Sequence, residues 1–205
     1  MSKEQLYIFD TTLRDGAQTQ GVDFSIDDKE KISSALDKLG VDYVEGGWPG
    51  ANPTDTEFFN KDHNFKSTKL TAFGMTKKSE HSAENDPMLS SLINSKSTSV
   101  CLFGKSWDFQ VDVALGISNE QNLMNISEST KHIVKSGKEF MFDAEHFFDG
   151  YKANPEYAMS CLKAAFDNGA RWVVLCDTNG GTLPHEITAV SSTHLRAHET
   201  VVHLV

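Results

Sequence analysis

Six short apolar runs punctuate the chain, at Leu6–Phe9, Tyr43–Val44, Leu70–Phe73, Ser99–Phe103, Phe140–Phe142 and Trp172–Cys176. Most are continuous rather than alternating, the pattern of strands covered on both faces in a parallel sheet. Their centres recur roughly every 33 residues, close to the length of one strand–helix unit. Helical patterns fill the gaps. Ser25 with Asp28 three residues on reads as a capping box, and Ile32, Leu36 and Leu39 follow at helical spacing before Gly40. Asn119–Ser136 gathers Leu123, Ile126, Ile133 and Val134 on one face and stops at Gly137. Asn154-Pro155 is an N-cap followed by proline at the first helical position. That helix is expected to turn Met159, Leu162 and Phe166 inward and to end at Gly169.

Strand, loop and helix in repetition predict an α/β protein. Two parallel architectures fit, a doubly wound open sheet and a (β/α)8 barrel. No Gly-x-Gly-x-x-Gly follows a strand, which removes the best support for the dinucleotide-binding sheet. The long loops fall after strands, at Gly16–Phe24, Gly46–Phe58 and Gly104–Ile117, where a barrel builds its active-site face. The expectation is therefore a TIM barrel cut to about six βα units over residues 1–189, since a whole one takes roughly 250 residues.

Residues 190–205 break the periodicity. The run Ser191-Ser192-Thr193-His194-Leu195-Arg196-Ala197-His198-Glu199-Thr200 resembles translated vector DNA, so a non-native tail is expected, against the alternative of an amphipathic terminal helix. His194 and His198 share the i,i+4 spacing of metal ligands but lack an acidic partner of known geometry.

Composition narrows the field. The 205 residues carry 19 Lys+Arg against 29 Asp+Glu, a net charge of −10, which disfavours nucleic acid as a partner. No apolar run approaches the roughly 20 residues that span a bilayer, so no membrane partner is expected. Nothing apolar follows Met1–Gln5 as a signal peptide would require, and the three cysteines, Cys101, Cys161 and Cys176, share no metal-type spacing. A cytoplasmic protein with reduced thiols is the simplest reading.

The chemistry collects just beyond the strands, where Asp10, Arg14 and Asp15, then Glu45, then Asp143, Glu145 and His146, then Asp177 stand. In a barrel these carboxylates converge on one rim, and like charges share a dry site only if protonated or joined by a cation. Oxygen-rich ligation suits Mg²⁺ or Mn²⁺, and a histidine would extend the choice to Zn²⁺ or Co²⁺. The alternative is that these acids are helix caps and solvated loop residues.

Asp10-Thr11-Thr12-Leu13-Arg14-Asp15-Gly16 resembles the first-strand signature of the metal-dependent acyl-CoA condensing and cleaving barrels, which include isopropylmalate, homocitrate and citramalate synthases and hydroxymethylglutaryl-CoA lyase. Arg14-Asp15-Gly16-Ala17-Gln18 has alanine where isopropylmalate synthases usually carry glutamate. Val44–Gly50, Phe103–Asp108, Phe142–Pro155 and Leu175–Thr182 are similar to the citramalate-forming branch, and the likeness runs from Leu6 to Ile187.

The resemblance implies a Claisen condensation of acetyl-CoA, as co-substrate, with pyruvate, followed by thioester hydrolysis, on a route to isoleucine. It also implies roles. Asp15 matches the carboxylate that binds the divalent metal, Arg14 the arginine over the keto acid, and Glu45 the acid that orients that arginine. Glu145 matches the acid associated with deprotonating the acetyl-CoA methyl group, and Thr178 the hydroxyl contacting the keto-acid carboxylate; Gln18 lines the same pocket. For Asp10, His146 and Asp177 the structural reading is kept, as neighbours that orient loops. Other 2-oxo acids, a carbon–carbon lyase reaction, or a non-catalytic fragment are the alternatives. Family members carry a His-x-His metal pair on a seventh strand and form homodimers. No His-x-His occurs in this chain, so the chain as written is expected to be inactive as a synthase.

Overall fold

The computed structural model describes residues 5–194 and 201–203. Of the expected non-native tail, residues 195–200, with His198, and 204–205 lie outside the described residues, as does the side chain of His194. The chain divides into two compact units. One holds residues up to Gly74 and Ser90–Val100; the other holds Met75–Leu89 and Cys101 onward.

In the first unit β1 (Phe9–Asp10), β2 (Tyr43–Gly47) and β3 (Lys69–Met75) alternate with α1 (Ile26–Leu39) and α2 (Pro53–Asn60). The strands pair in parallel, Phe9 opposite Tyr43 and Tyr43 opposite Lys69. The start of β4 (Ser99–Lys105) runs beside β3, where the Thr98 N–H donates to the Leu70 carbonyl at 3.0 Å. Phe58, Phe59, Val44, Leu70 and Ala72 are sealed in the core of this unit.

The second unit continues β4 and adds α4 (Asp108–Gln110), α5 (Asn119–Lys135), β5 (Glu139–Glu145), α6 (Phe147–Ala153), α7 (Pro155–Phe166), β6 (Trp172–Cys176), α8 (Pro184–His194) and β7 (Val201–His203). Phe142 lies opposite Val173 and Leu175 opposite Val202, again in parallel. Phe140, Phe142, Phe147, Phe148, Ile126 and Ile133 fill its core. α3 (Pro87–Asn94) contributes residues to both units.

The start and stop chemistry is as expected. Ser25 and Asp28 form the reciprocal capping box, and Gly40 ends α1 at φ 90°. Asn154 accepts the Tyr157 N–H at the head of α7. Other expectations need correction. β1 is shorter than Leu6–Phe9, because β2 begins at Tyr43 and offers nothing for Leu6 to pair with; Leu6 is left 85% exposed. The loop Gly46–Phe58 contains the start of α2, opened by Asn52 and Pro53. α4 lies inside the loop Gly104–Ile117, and α3, opened by Asp86 accepting the Met88 and Leu89 N–H groups, was not anticipated. These helices are short, eight residues or fewer, and give the period of 3.6 too little length to register. β7, paired with β6, makes a seventh strand where six were expected.

Two apolar faces also differ. Phe166 is 40% exposed; α7 buries Leu162, as expected, together with Ala158, Cys161 and Ala165. On α1 the buried stripe is Lys29, Ser33 and Asp37, while Leu39 is exposed. A charge tolerates such burial only when its hydrogen bonds are made. Asp37 accepts the N–H groups of Lys66, Ser67 and Thr68 at 3.0 to 3.2 Å, and these bonds pull its pKa down to about 2 from 3.8.

The sign follows directly. A carboxyl whose folded pKa is depressed adds stability above its unfolded pKa and loses it as the pH falls through the folded value. Stability is therefore expected to decline between about pH 4 and pH 2 in the parent, and Asp37→Asn is expected to flatten that window. Urea midpoints taken across this range check it, and parallel pH curves for the two proteins would refute it.

Candidate active site

In the first unit the loop after β1 is wound tightly around Thr11, whose carbonyl accepts the N–H groups of Arg14, Asp15 and Gly16 at 2.9 to 3.2 Å. Asp10 braces it by accepting the Thr12 N–H at 3.0 Å and the Thr12 hydroxyl at 3.2 Å, which is the orienting place expected for it. The loop sets Arg14 between two carboxylates. Its Nε donates to Glu45 Oε2 at 2.5 Å and its Nη1 to Asp15 Oδ1 at 2.9 Å. The guanidinium carbon stands 4.0 Å over the ring of Phe73, and Trp48 meets that ring edge-on at 5.6 Å. Glu45 is fully buried, at a register shift between Glu45 and Gly47 where β2 bends.

Beneath this loop lies a lysine the sequence reading missed. Lys29 is buried, and its three donors reach the Leu13 carbonyl at 3.0 Å, the Gly46 carbonyl at 2.8 Å and Asp55 Oδ1 at 2.5 Å. Leu13 and Gly46 are the immediate neighbours of Arg14 and Glu45. Asp55 also accepts the Trp48 N–H and the Asn52 amide, at 2.8 and 2.9 Å. Gly47 is obligatory here: at φ 135° its added Cβ would fall 2.5 Å from the Asp55 carboxyl carbon. Gln18, in the 3-10 turn Gly16–Gln18, lines a cavity of about 420 Å³ together with Arg14, Trp48, Asn52 and Asp55.

In the second unit Glu145 ends β5 and lies 2.6 Å from the ammonium of Lys105, which ends β4. The next residue, His146, takes φ 57°, the one non-glycine with positive φ among the described residues. That turn starts α6 and points the His146 N–H at the Thr178 hydroxyl, which accepts it at 2.8 Å. Its imidazole lies 3.5 Å from Asp149, and the indole of Trp107 is 5.9 Å away between ring centres. Asp177 is spent locally, accepting the Thr182 N–H and hydroxyl at 3.0 and 2.7 Å. Gly150 lets α6 approach this corner, since an added Cβ would meet the Ser106 carbonyl at 2.3 Å.

Arg14, Asp15, Glu45 and Gln18 are thus gathered in one unit, and Glu145 and Thr178 in the other. Lys29 and Lys105 belong beside them. The sequence reading passed over both because it followed carboxylates; Lys105 stands at the end of its strand just as Glu145 does. Asp15 belongs to no cluster of three or more potential metal ligands among the described residues, and its Oδ1 already accepts from Arg14. These residues alone do not fit a divalent ion, which needs several ligands held together.

The chain is similar to proteins of known name. The chain is 54% identical over 190 residues to an (R)-citramalate synthase of Aquifex aeolicus, covering 92% of this chain and 36% of that protein. It is 30% identical over 187 residues to 2-isopropylmalate synthase 1 of Caldanaerobacter subterraneus, covering 91% of this chain and 45% of that protein. The chain therefore spans less than half the length of each of these relatives. The crystal structure of the HMG-CoA lyase of Bacillus subtilis superposes with a TM-score of 0.80 at 16% identity, over 98% of this chain and 68% of that one, which identifies the fold as that of the TIM barrels. The sequence signature of the HMGL-like family extends over residues 5–201, and with so much of its length inside that signature the chain belongs to the HMGL-like family.

Proposed function

We propose that the protein containing this chain is an acyltransferase of the citramalate synthase type, joining acetyl-CoA to pyruvate and hydrolysing the thioester. The observation that carries the chemistry is the Arg14 guanidinium, fixed by two carboxylates and an aromatic face. The choice of pyruvate is supported by the 54% identity to the Aquifex synthase.

Glu145 removes a proton from the acetyl-CoA methyl group, and the resulting carbanion attacks the ketone carbon of pyruvate. Negative charge then develops on the former ketone oxygen. Arg14 supplies a fixed cation for it, which costs no reorganisation because Glu45 and Phe73 already hold the guanidinium. Gln18, which lines the cavity beside Arg14, contacts the keto acid. In the whole protein Asp15 would be one ligand of a divalent cation, Mg²⁺ or Mn²⁺, whose site the described residues do not complete. The protein works as a cytoplasmic homodimer supplying isoleucine synthesis; no described helix is long and apolar enough to cross a membrane.

Release of CoA thiol by protein expressed from its whole natural gene tests the reading. Acetyl-CoA with pyruvate is expected to give the highest kcat/KM among 2-oxo acids. A preference for 2-oxoisovalerate would move the assignment to isopropylmalate synthesis, and cleavage of citramalate or its CoA ester without condensation would make it a lyase.

A further inference from the structure

The Lys105–Glu145 pair is not needed to hold β4 to β5. The Ser106 N–H and hydroxyl already bind the Glu145 carbonyl, at 3.1 and 2.7 Å. The Lys105 carbonyl is pinned from behind by the Asn122 amide at 2.8 Å. Asn122 in turn binds the Tyr157 hydroxyl at 2.8 Å, and Cys161 Sγ lies 3.7 Å from the same carbonyl. Both backbones are thus fixed, and the Lys105 ammonium and Glu145 Oε2 stand 2.6 Å apart as an ion pair in which that oxygen makes no aligned hydrogen bond. The side chains are 15% and 24% exposed, with Oε2 of Glu145 buried against the ammonium, sheltered enough for their charges to matter.

We propose that Lys105 is a second catalytic group of the proton-abstraction step, a proposal that rests on Glu145 being the base. In that step the methyl C–H bond breaks and an O–H bond forms on Glu145. The electron pair enters the new carbon–carbon double bond, and the negative charge moves to the thioester oxygen. The carboxylate that paired with Lys105 has then become neutral. The ammonium, 2.6 Å from that carboxylate at the outset, donates to the enolate oxygen in its place. One cation serves the charge on both sides of the transfer, so the site does not strand a negative charge as the enolate forms.

The test uses protein from the whole natural gene, with Lys105→Met, Lys105→Arg and Glu145→Gln variants assayed for CoA release from acetyl-CoA and pyruvate. Lys105→Met is expected to lower kcat by about 10²-fold, in the range of a lost oxyanion donor, with the KM for pyruvate little changed. The isotope effect on kcat with methyl-deuterated acetyl-CoA should rise, because C–H cleavage becomes slower than later steps, and Lys105→Arg should recover part of the rate. A Lys105→Met enzyme with normal kcat and isotope effect, beside an inactive Glu145→Gln, overturns the role of Lys105 and leaves the base in place. A Lys105→Met enzyme altered only in its KM for acetyl-CoA overturns it too. An active Glu145→Gln enzyme overturns the reading of the base itself. Should Lys105→Met fail to fold, Lys105→Gln replaces it, and normal kcat in that variant equally refutes the proposal.

Discussion

In protein expressed from the whole natural gene, replacing Arg14 with lysine is expected to lower kcat/KM for condensation by about 10²- to 10³-fold, the cost of removing a preorganised donor from a developing oxyanion. The two side chains carry the same charge, so the loss is one of geometry. Arg14 uses Nε for Glu45 and Nη1 for Asp15 while its plane lies on the Phe73 ring. An ammonium presents a compact charge with no plane to stack, and reaching one carboxylate would pull it from the other. Glu45, fully buried, would be left with its charge poorly matched, so a loss of stability should accompany the loss of rate. Steady-state kinetics with a melting curve on each protein separate the two effects. A lysine variant within about threefold of the parent rate would show that the fork does not act on the reacting oxygen.

The second large effect is on folding. Lys29→Met removes one half of a buried ion pair, leaving Asp55 without its counter-ion and the carbonyls of Leu13 and Gly46 without the ammonium they accept from. Breaking such a pair from one side typically costs about 3–5 kcal/mol. Removing both charges is expected to be gentler, so a Lys29→Met, Asp55→Leu double variant should regain part of the loss. Denaturant midpoints of the parent, the single and the double variants measure this. A single variant destabilised by less than about 1 kcal/mol would show that the pair does not anchor the loops. Because Leu13 and Gly46 adjoin Arg14 and Glu45, the single variant should also lose activity at temperatures where it is still folded.

Much of this architecture is legible in the residues. Continuous apolar runs gave the strands, since a strand covered on both faces has no polar positions to alternate with. Ser25, Gly40, Asn154 and Pro155 marked helix ends, because caps depend on local hydrogen bonds and on φ rather than on distant packing. What stayed hidden depends on tertiary partners. The buried face of α1 is polar, and no hydrophobic period reveals that Lys29 finds Asp55 across 26 positions of sequence or that Asp37 finds the Lys66–Thr68 backbone. The short helices α2 and α3 lay inside stretches too brief for a period, although Asn52-Pro53 repeats the Asn-Pro start that revealed α7. Candidate site residues stood out as acids beyond strand ends. Lys105 stands at such an end too, and only its 2.6 Å approach to Glu145 draws it into the chemistry.

The central claim is that a carbanion made from acetyl-CoA attacks a ketone held by Arg14. The most direct measurement is a carbon-13 NMR spectrum of the product formed by protein from the whole natural gene, with acetyl-CoA and pyruvate labelled at its ketone carbon. The labelled carbon should change from a ketone to a quaternary carbinol, with one CoA thiol released per product. A ketone signal that persists unchanged in the presence of the folded protein and added Mg²⁺ or Mn²⁺ would contradict the account.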